Sequence, residues 1–260
     1  MMQGGDYVTK LTLERADGRW LAGLCLSCIT GQRLADEAAQ WLHPGEYERF
    51  KGFAHNRRAH DYLRGRYAVK KAVKAMYPDL AATAIHIESG IFQQPVLSSP
   101  LSERVDVSIS HTSELSAAVA FPGRHPLAID VESVNEENRD ALLGQISPDE
   151  QSRLSAVGGF SELERLTALW TAKEALSKAL GCGMTTSFCL FKVNEIEVHE
   201  DYFVARFEHF MQYRAMCFRC TGVLCTLLLP DRSRLLEQNA VLDALARTND
   251  SGIPVFNAVE

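Results

Sequence analysis

The sequence predicts a mixed α/β (α+β) fold of two similar lobes related by a pseudo-twofold axis, each a long helix packed on a small, mostly antiparallel sheet. Two observations predict it. His43-Pro-Gly-Glu-Tyr-Glu-Arg49-Phe aligns with Ser147-Pro-Asp-Glu-Gln-Ser-Arg153-Leu, and each is followed by a long helical stretch and then several strands. A repeat of that size is far longer than solenoid periods and reads as an internal duplication. The second observation is bulk: 260 residues at 46% hydrophobic composition can bury a sizeable core, as one large domain or two small ones. The turn-rich phrase Pro122-Gly123-Arg124-His125-Pro126 is the natural boundary. It divides an N-terminal lobe, 1–124, from a C-terminal lobe, 125–260.

Taken in order, Met1 to Gly18 is polar and turn-rich, and the apolar run Trp20 to Ile29 is the strand expected to open the fold. Arg33 to Leu42 reads as a short helix. Pro44 suits the first turn of the next one, which stays helical in composition from Glu46 to Tyr77, with a break near Ala54-His55-Asn56 and a stop at Pro78. Strand-like segments follow at 84–88, 105–110 and 115–121, with a turn at Gln93-Gln94-Pro95. Leu127-Ala-Ile-Asp130-Val-Glu132 alternates apolar and acidic residues as a half-buried strand does. A helical region is expected from Pro148 to Gly181, then strands at 191–198, 202–207, 213–220 and 223–229, and a last short helix from Arg234 to Arg247.

A net charge of −6 and a pI near 5.8 give no global argument for nucleic acid or an anionic membrane as partner. Neither a secretory leader at Met1 to Thr12 nor an apolar run long enough to span a bilayer is recognised. The expectation is a cytoplasmic monomer. Two Cys-x-x-Cys pairs, Cys25/Cys28 and Cys217/Cys220, sit in apolar strand-like sequence, where a three-residue offset sends side chains to opposite faces. They are read as reduced core cysteines rather than a zinc site.

The most basic piece of the chain is helical: Arg57, Arg58, Arg64, Arg66, Lys70, Lys71 and Lys74 against one acid, Asp61. A solvated helix face accounts for such a run. An anion site accounts for it too, since arginine forks match phosphate oxygens. Nucleic acid ranks last, because aromatic interleaving is slight.

The chemistry concentrates in two stretches. Asp130 and Glu132, two residues apart on a strand, share a face. They repel unless a cation lies between them. Trp170-Thr-Ala-Lys173-Glu174-Ala-Leu-Ser-Lys178-Ala-Leu-Gly181 reads as a helix ending at a glycine cap. It offers a third carboxylate, Glu174, and one turn on the ammonium of Lys178. A surface ion pair explains that spacing as well. Three hard oxygen donors would suit Mg²⁺, and a metal beside a lysine suits the handling of a phosphate or pyrophosphate.

Ile-Asp130-Val-Glu132 and Trp170-x-x-Lys173-Glu174-x-x-x-Lys178, with Ser108-Ile-Ser110-His111-Thr112 upstream, resemble the ordered motifs of the Sfp-type 4'-phosphopantetheinyl transferases. The resemblance implies two similar lobes with coenzyme A between them. It also implies transfer of 4'-phosphopantetheine to a serine hydroxyl of an apo acyl or peptidyl carrier protein, with release of adenosine 3',5'-bisphosphate. In that reading Asp130, Glu132 and Glu174 hold Mg²⁺, and Glu174 is the base. Lys178 touches the pyrophosphate, with Lys173 as a weaker assistant. Ser110, His111, Arg49, Arg58 and Arg66 receive the nucleotide and its 3'-phosphate, and Trp170 is core. The family pattern Gly-Lys-Pro is Gln93-Gln94-Pro95 here, so Gln94 brings a neutral amide to coenzyme A. Ala128 replaces a family glycine.

Other readings are a catalytically silent module that binds coenzyme A or a carrier, and another metal-dependent phosphoryl-transfer enzyme such as a nuclease. Fatty acid, polyketide and nonribosomal peptide carriers all remain open.

Overall fold

Leu11 and Leu13 alternate with polar residues and are fully buried, so the polar opening segment is a strand through its described part. In the computed structural model, which describes residues 5–200, 202–220 and 222–246, β1 (Asp6–Arg15) pairs antiparallel with β2 (Gly18–Ser27) through the tight turn at Ala16-Asp17. The period-2 pattern, with one face buried, outweighs the segment's polar composition.

The expected helix at 33–42 is two short ones, α1 (Gly31–Asp36) and α2 (Ala38–Trp41), meeting at Glu37. α3 (Pro44–Lys51) begins with a capping box between His43 and Glu46, and α4 (Asn56–Met76) follows the anticipated break. β3 (His86–Ser89) and β4 (Pro95–Ser98) form a small hairpin. β5 (Val105–His111) and β6 (Ser116–Pro122) complete the first lobe.

In the second lobe, β7 (Ala128–Ser133) is followed by α5 (Arg139–Leu143), α6 (Pro148–Ser155) and α7 (Glu162–Leu180). The region expected to be helical from 148 to 181 is therefore interrupted. Gly158 and Gly159, the latter at φ 77°, break it, and Ser161 restarts it through a capping box with Glu164. α7 ends at Gly181, φ 67°, the left-handed cap that its sequence announces. Then come β8 (Val193–Val198), β9 (Tyr202–Phe207), β10 (Tyr213–Cys220) and β11 (Val223–Pro230).

The tail crosses back. β12 (Arg234–Leu235) pairs with Leu13 and Glu14 of β1, so the last helix, α8 (Gln238–Ala246), starts later than expected. Its expected end at Arg247 lies outside the described residues.

The sheets run β12-β1-β2-β6-β5 and β7-β11-β10-β9-β8, antiparallel throughout. Leu24, Leu26, Val119 and Phe121 of the first share one apolar core with Ile129, Val131, Met216 and Leu227 of the second. The outer faces carry the helices. α4 packs Val69, Ala72 and Val73 against Cys25, Ala118 and Ala120, while α7 packs Leu169, Ala172 and Leu176 against Ala215, Leu224 and Leu228. The layers are helix, sheet, sheet, helix. Contact is closest at Gly23, where a β-carbon would meet the Ala72 carbonyl oxygen at 1.8 Å. Cys25 and Cys28 face different cores. Among the described residues, no helix is long and apolar enough to cross a membrane.

One buried network appears twice and ties the repeat to its physical purpose. Lys70 pairs with Glu46 at 2.8 Å and Lys173 with Glu150 at 2.9 Å. Each glutamate is the third residue of a capped helix, and each also accepts from a strand amide, Ile87 N at 2.9 Å and Val193 N at 2.8 Å. A buried ion pair is tolerable only when its remaining lone pairs and protons are satisfied. Here one carboxylate joins short helix, long helix and strand in each lobe.

Candidate active site

β7 sends Ile129 and Val131 into the core between the sheets, and that alternation turns Asp130 and Glu132 the other way, towards α7. Asp130 is 2% exposed. Its Oδ1 accepts from Lys178 Nζ at 2.6 Å and from Ser110 Oγ at 2.8 Å. Its Oδ2 is buried with no hydrogen-bond partner. Lys178 also donates to the carbonyl oxygens of Ile109 at 3.1 Å and Ile129 at 3.3 Å. This ammonium thus joins the edge strands β5 and β7, one from each sheet. Beside it, Ser108 Oγ receives the Ile129 amide at 3.1 Å, bridging the same seam.

Burial and the Asp130 carboxylate, with Glu132 adding to them against the opposing pull of Lys178, push the Glu174 carboxyl up to about 7. Glu132 is raised too, by burial first and Asp130 second, while hydrogen bonding by Trp170 and the charge of Lys178 work against the rise. These shifts describe three carboxylates close enough to repel. Among the described residues, no three His, Cys, Asp or Glu side chains stand so as to enclose an ion. Lys178 supplies the countercharge in this arrangement.

A cleft of about 1090 Å³ opens from this cluster along the seam. Glu174, Ser177 and Lys178 form one wall, β5 the floor, and the Phe92 to Leu101 hairpin the far side. Gln94 lines it, although its Oε1 is engaged by the Phe92 amide at 2.9 Å. Ser177 is the residue the sequence reading missed. It lies fully buried on the cleft wall, and its Oγ has no partner. Its position three residues after Glu174 on a helix was the available signal.

A second cleft, about 880 Å³, lies at the other end of β5, lined by His111, Thr112, Arg57, His60, Asp61 and Arg64 among others. Partial desolvation against the cleft wall, with the neighbouring Arg64 and Lys178 charges, lowers the His111 pKa against an opposing pull from Asp61, although the side chain keeps an exposed edge. Arg57 and Arg64 were legible only as members of a basic run, and His60 was not singled out. Their place beside His111 is a product of the fold.

The remaining expectations are redistributed. α4 and α7 cover opposite outer faces, because the sheets, not the helices, meet at the centre. Lys173 is 1% exposed and bound to Glu150 and to the Gln145 carbonyl at 2.9 Å. It is corrected from a coenzyme contact to a buried structural cation. Arg66, a side chain only 11% exposed, lies 3.6 Å from Glu46 and over the Tyr62 ring. Arg49 also stacks over Tyr62 and donates to Ser89 Oγ at 3.5 Å. Arg58 is exposed near the start of α4. None of these three lines either cleft. Trp170, expected as core alone, packs on Phe188 and also bonds to Glu132.

Residues 126–221 match the family model of the 4'-phosphopantetheinyl transferase superfamily. Solved structures similar to the chain include a holo-(acyl-carrier-protein) synthase from Bacillus anthracis str. Ames, in complex with CoA (3',5'-ADP). It is 19% identical with a TM-score of 0.35, over 43% of this chain and 96% of that one. The holo-ACP-synthase from Plasmodium yoelii is 14% identical, TM-score 0.33, over 45% and 96%. The holo-[acyl-carrier-protein] synthase from Thermotoga maritima is 21% identical, TM-score 0.33, over 45% and 70%. No curated protein matches the chain.

Proposed function

We propose that this chain, a member of the 4'-phosphopantetheinyl transferase superfamily through residues 126–221, transfers 4'-phosphopantetheine from coenzyme A to a serine hydroxyl of an apo acyl or peptidyl carrier protein, releasing adenosine 3',5'-bisphosphate. The observation that carries the reading is the convergence of Asp130, Glu132 and Glu174 around Lys178, at the mouth of a cleft between two sheets.

The donor chemistry suits a magnesium ion, although the three carboxylates do not enclose one in this arrangement, where Lys178 supplies the countercharge. Asp130 Oδ2 is buried and unpartnered, and the Glu132 and Glu174 carboxyls are raised by burial and by Asp130. A hard divalent cation relieves that kind of strain. Asp130, Glu132 and Glu174 would hold it. Bound there, it would neutralise charge on the pyrophosphate.

The chain's own residues do the rest. Attack of a neutral hydroxyl on the phosphorus requires removal of a proton, and a base works best with a pKa near the operating pH. Glu174 is the carboxylate placed to take that proton; its rise to about 7 belongs to the metal-free chain, and a bound cation brings it back down. Lys178 gives its positive charge to the departing adenosine bisphosphate. Ser110, whose hydroxyl donates to Asp130 Oδ1, fixes that carboxylate. Trp170 orients Glu132 in the same way. His111, in the second cleft with Arg57, receives a phosphate of the nucleotide part. Incubating a panel of apo carriers with coenzyme A and Mg²⁺ tests the reading. A pantetheinyl mass gain on at least one carrier is expected, and none on any carrier with folded enzyme would sink it.

A further inference from the structure

Arg64 is 6% exposed, and its guanidinium donates through Nη1 to two carbonyl oxygens, Thr112 at 2.9 Å and Ser113 at 2.8 Å. Among the described residues it makes no ion pair. Burial lowers its pKa, and only the more distant charges of Asp61 and Glu114, with the Cys28 thiol, oppose that. Its Nε is buried without a partner. A buried cation facing neutral acceptors is costly, so the two carbonyls it holds call for a reason.

They belong to the turn that follows His111. Thr112 N donates to Leu115 O at 2.8 Å, and Thr112 Oγ1 accepts from Glu114 N at 3.2 Å and Leu115 N at 3.1 Å. The turn therefore satisfies its own amides and leaves the Thr112 and Ser113 carbonyls to Arg64. α4, a rigid helix packed on the sheet, thus grips the loop at the end of β5. His111 stays exposed at that end, in the same cleft as Arg57 and His60.

We infer that Arg64 is a positioning residue for nucleotide binding: by clamping the Thr112–Ser113 carbonyls it presets His111 to meet an anionic phosphate group in the second cleft. The inference rests on the proposed transferase reading for the identity of that ligand. The clamp itself does not. A preset donor binds without first ordering its loop, so losing the clamp weakens binding and leaves the reacting centre around Glu174 as it was.

Arg64→Gln and Arg64→Lys test it. In the ligand-free protein, Arg64→Gln should speed hydrogen exchange at the Glu114 and Leu115 amides about tenfold, and raise the Kd for adenosine 3',5'-bisphosphate by calorimetry about tenfold. In turnover it should raise the KM for coenzyme A by a similar factor with kcat within about twofold. Arg64→Lys, which keeps a positive charge and a flexible donor at the position, should recover most of each. Unchanged exchange and nucleotide affinity in Arg64→Gln would overturn the inference, as would a fall in kcat at constant KM. Should Arg64→Gln not fold, Arg64→Lys decides alone, with near-normal exchange and affinity expected and a tenfold loss of either contradicting the clamp. If the natural protein modifies no carrier, the transferase reading falls, while exchange and nucleotide calorimetry still judge Arg64.

Discussion

Lys178 Nζ lies 2.6 Å from Asp130 Oδ1 and, through the Ile109 and Ile129 carbonyls, pins together the edge strands of both sheets. One side chain is therefore countercharge, seam staple and, in the proposed reaction, stabiliser of the leaving group. Lys178→Ala should lower kcat roughly 100-fold, the usual loss when one preorganised electrostatic group is removed. Coenzyme A affinity should fall far less. Steady-state kinetics on a carrier protein decide it, and a variant with unaltered kcat has no catalytic lysine at 178.

Asp130→Ala and Glu174→Ala should each abolish carrier modification with the secondary structure retained. Asp130 also accepts from Lys178 and Ser110, so its removal costs stability as well as chemistry, and activity is read where the variant is still folded. Circular dichroism and the mass assay, run together, separate lost chemistry from lost fold. Full turnover in either variant would strike that residue from the site.

The raised Glu174 carboxyl makes stability depend on pH. Its pKa rises from an ordinary 4.5 to about 7 in the folded chain, so between those values the folded state holds a proton that the unfolded state has released. The stabilisation is complete below about 4.5 and is lost as pH climbs through about 7. Thermal unfolding with chelator present should show a Tm that drifts down across this window. Glu174→Gln should flatten the drift, and so should saturating Mg²⁺. An identical slope in all three would remove Glu174 as its source.

His125 acts in the opposite direction. Its Nε2 bonds to Ser233 Oγ at 2.9 Å and its Nδ1 is buried without a partner, and burial, with the Arg15 charge adding to it, lowers its pKa below the ordinary 6.5. A depressed histidine contributes stability above about 6.5 that is lost as pH falls through its folded value. His125→Gln should make the fold less sensitive to acid than the natural protein in denaturant titrations from pH 7 to 5. Equal acid sensitivity would contradict it.

Lys173 separates structure from binding. Lys173→Met leaves the Glu150 carboxylate buried without its cation, which costs about 3–5 kcal/mol, measurable by urea unfolding. The double variant Lys173→Met/Glu150→Gln should regain part of that, because the buried charge is gone while an amide oxygen can still accept from Val193 N. Where Lys173→Met remains folded, its KM for coenzyme A should match the natural protein's. A tenfold rise in KM without a stability loss would return Lys173 to the binding site.

Local pattern determined most of the architecture. Alternation announced β7, and with it that Asp130 and Glu132 share a face. Proline after a polar cap placed α3 and α6, and Gly181 ended α7. Two of the ordered motifs, at Asp130 to Glu132 and Trp170 to Lys178, fall within residues 126–221, which match the 4'-phosphopantetheinyl transferase superfamily model. Where composition and pattern disagreed, as in β1, pattern prevailed, because two leucines at alternate positions suffice to bury one face of a strand.

Packing across long sequence separations decided the rest. Nothing in the run from Arg57 to Lys74 distinguishes Lys70 and Arg66, which Glu46 takes into the interior, from Arg64, which grips a turn, or Arg58, which meets water. Those charges differ only in what the folded chain brings opposite them. The same holds for the two lysines of α7. Five residues apart on one helix, Lys173 and Lys178 face different neighbours, because successive residues advance about 100° around the axis. Sequence supplied the charges and their spacing, and the fold chose which of them could reach a ligand.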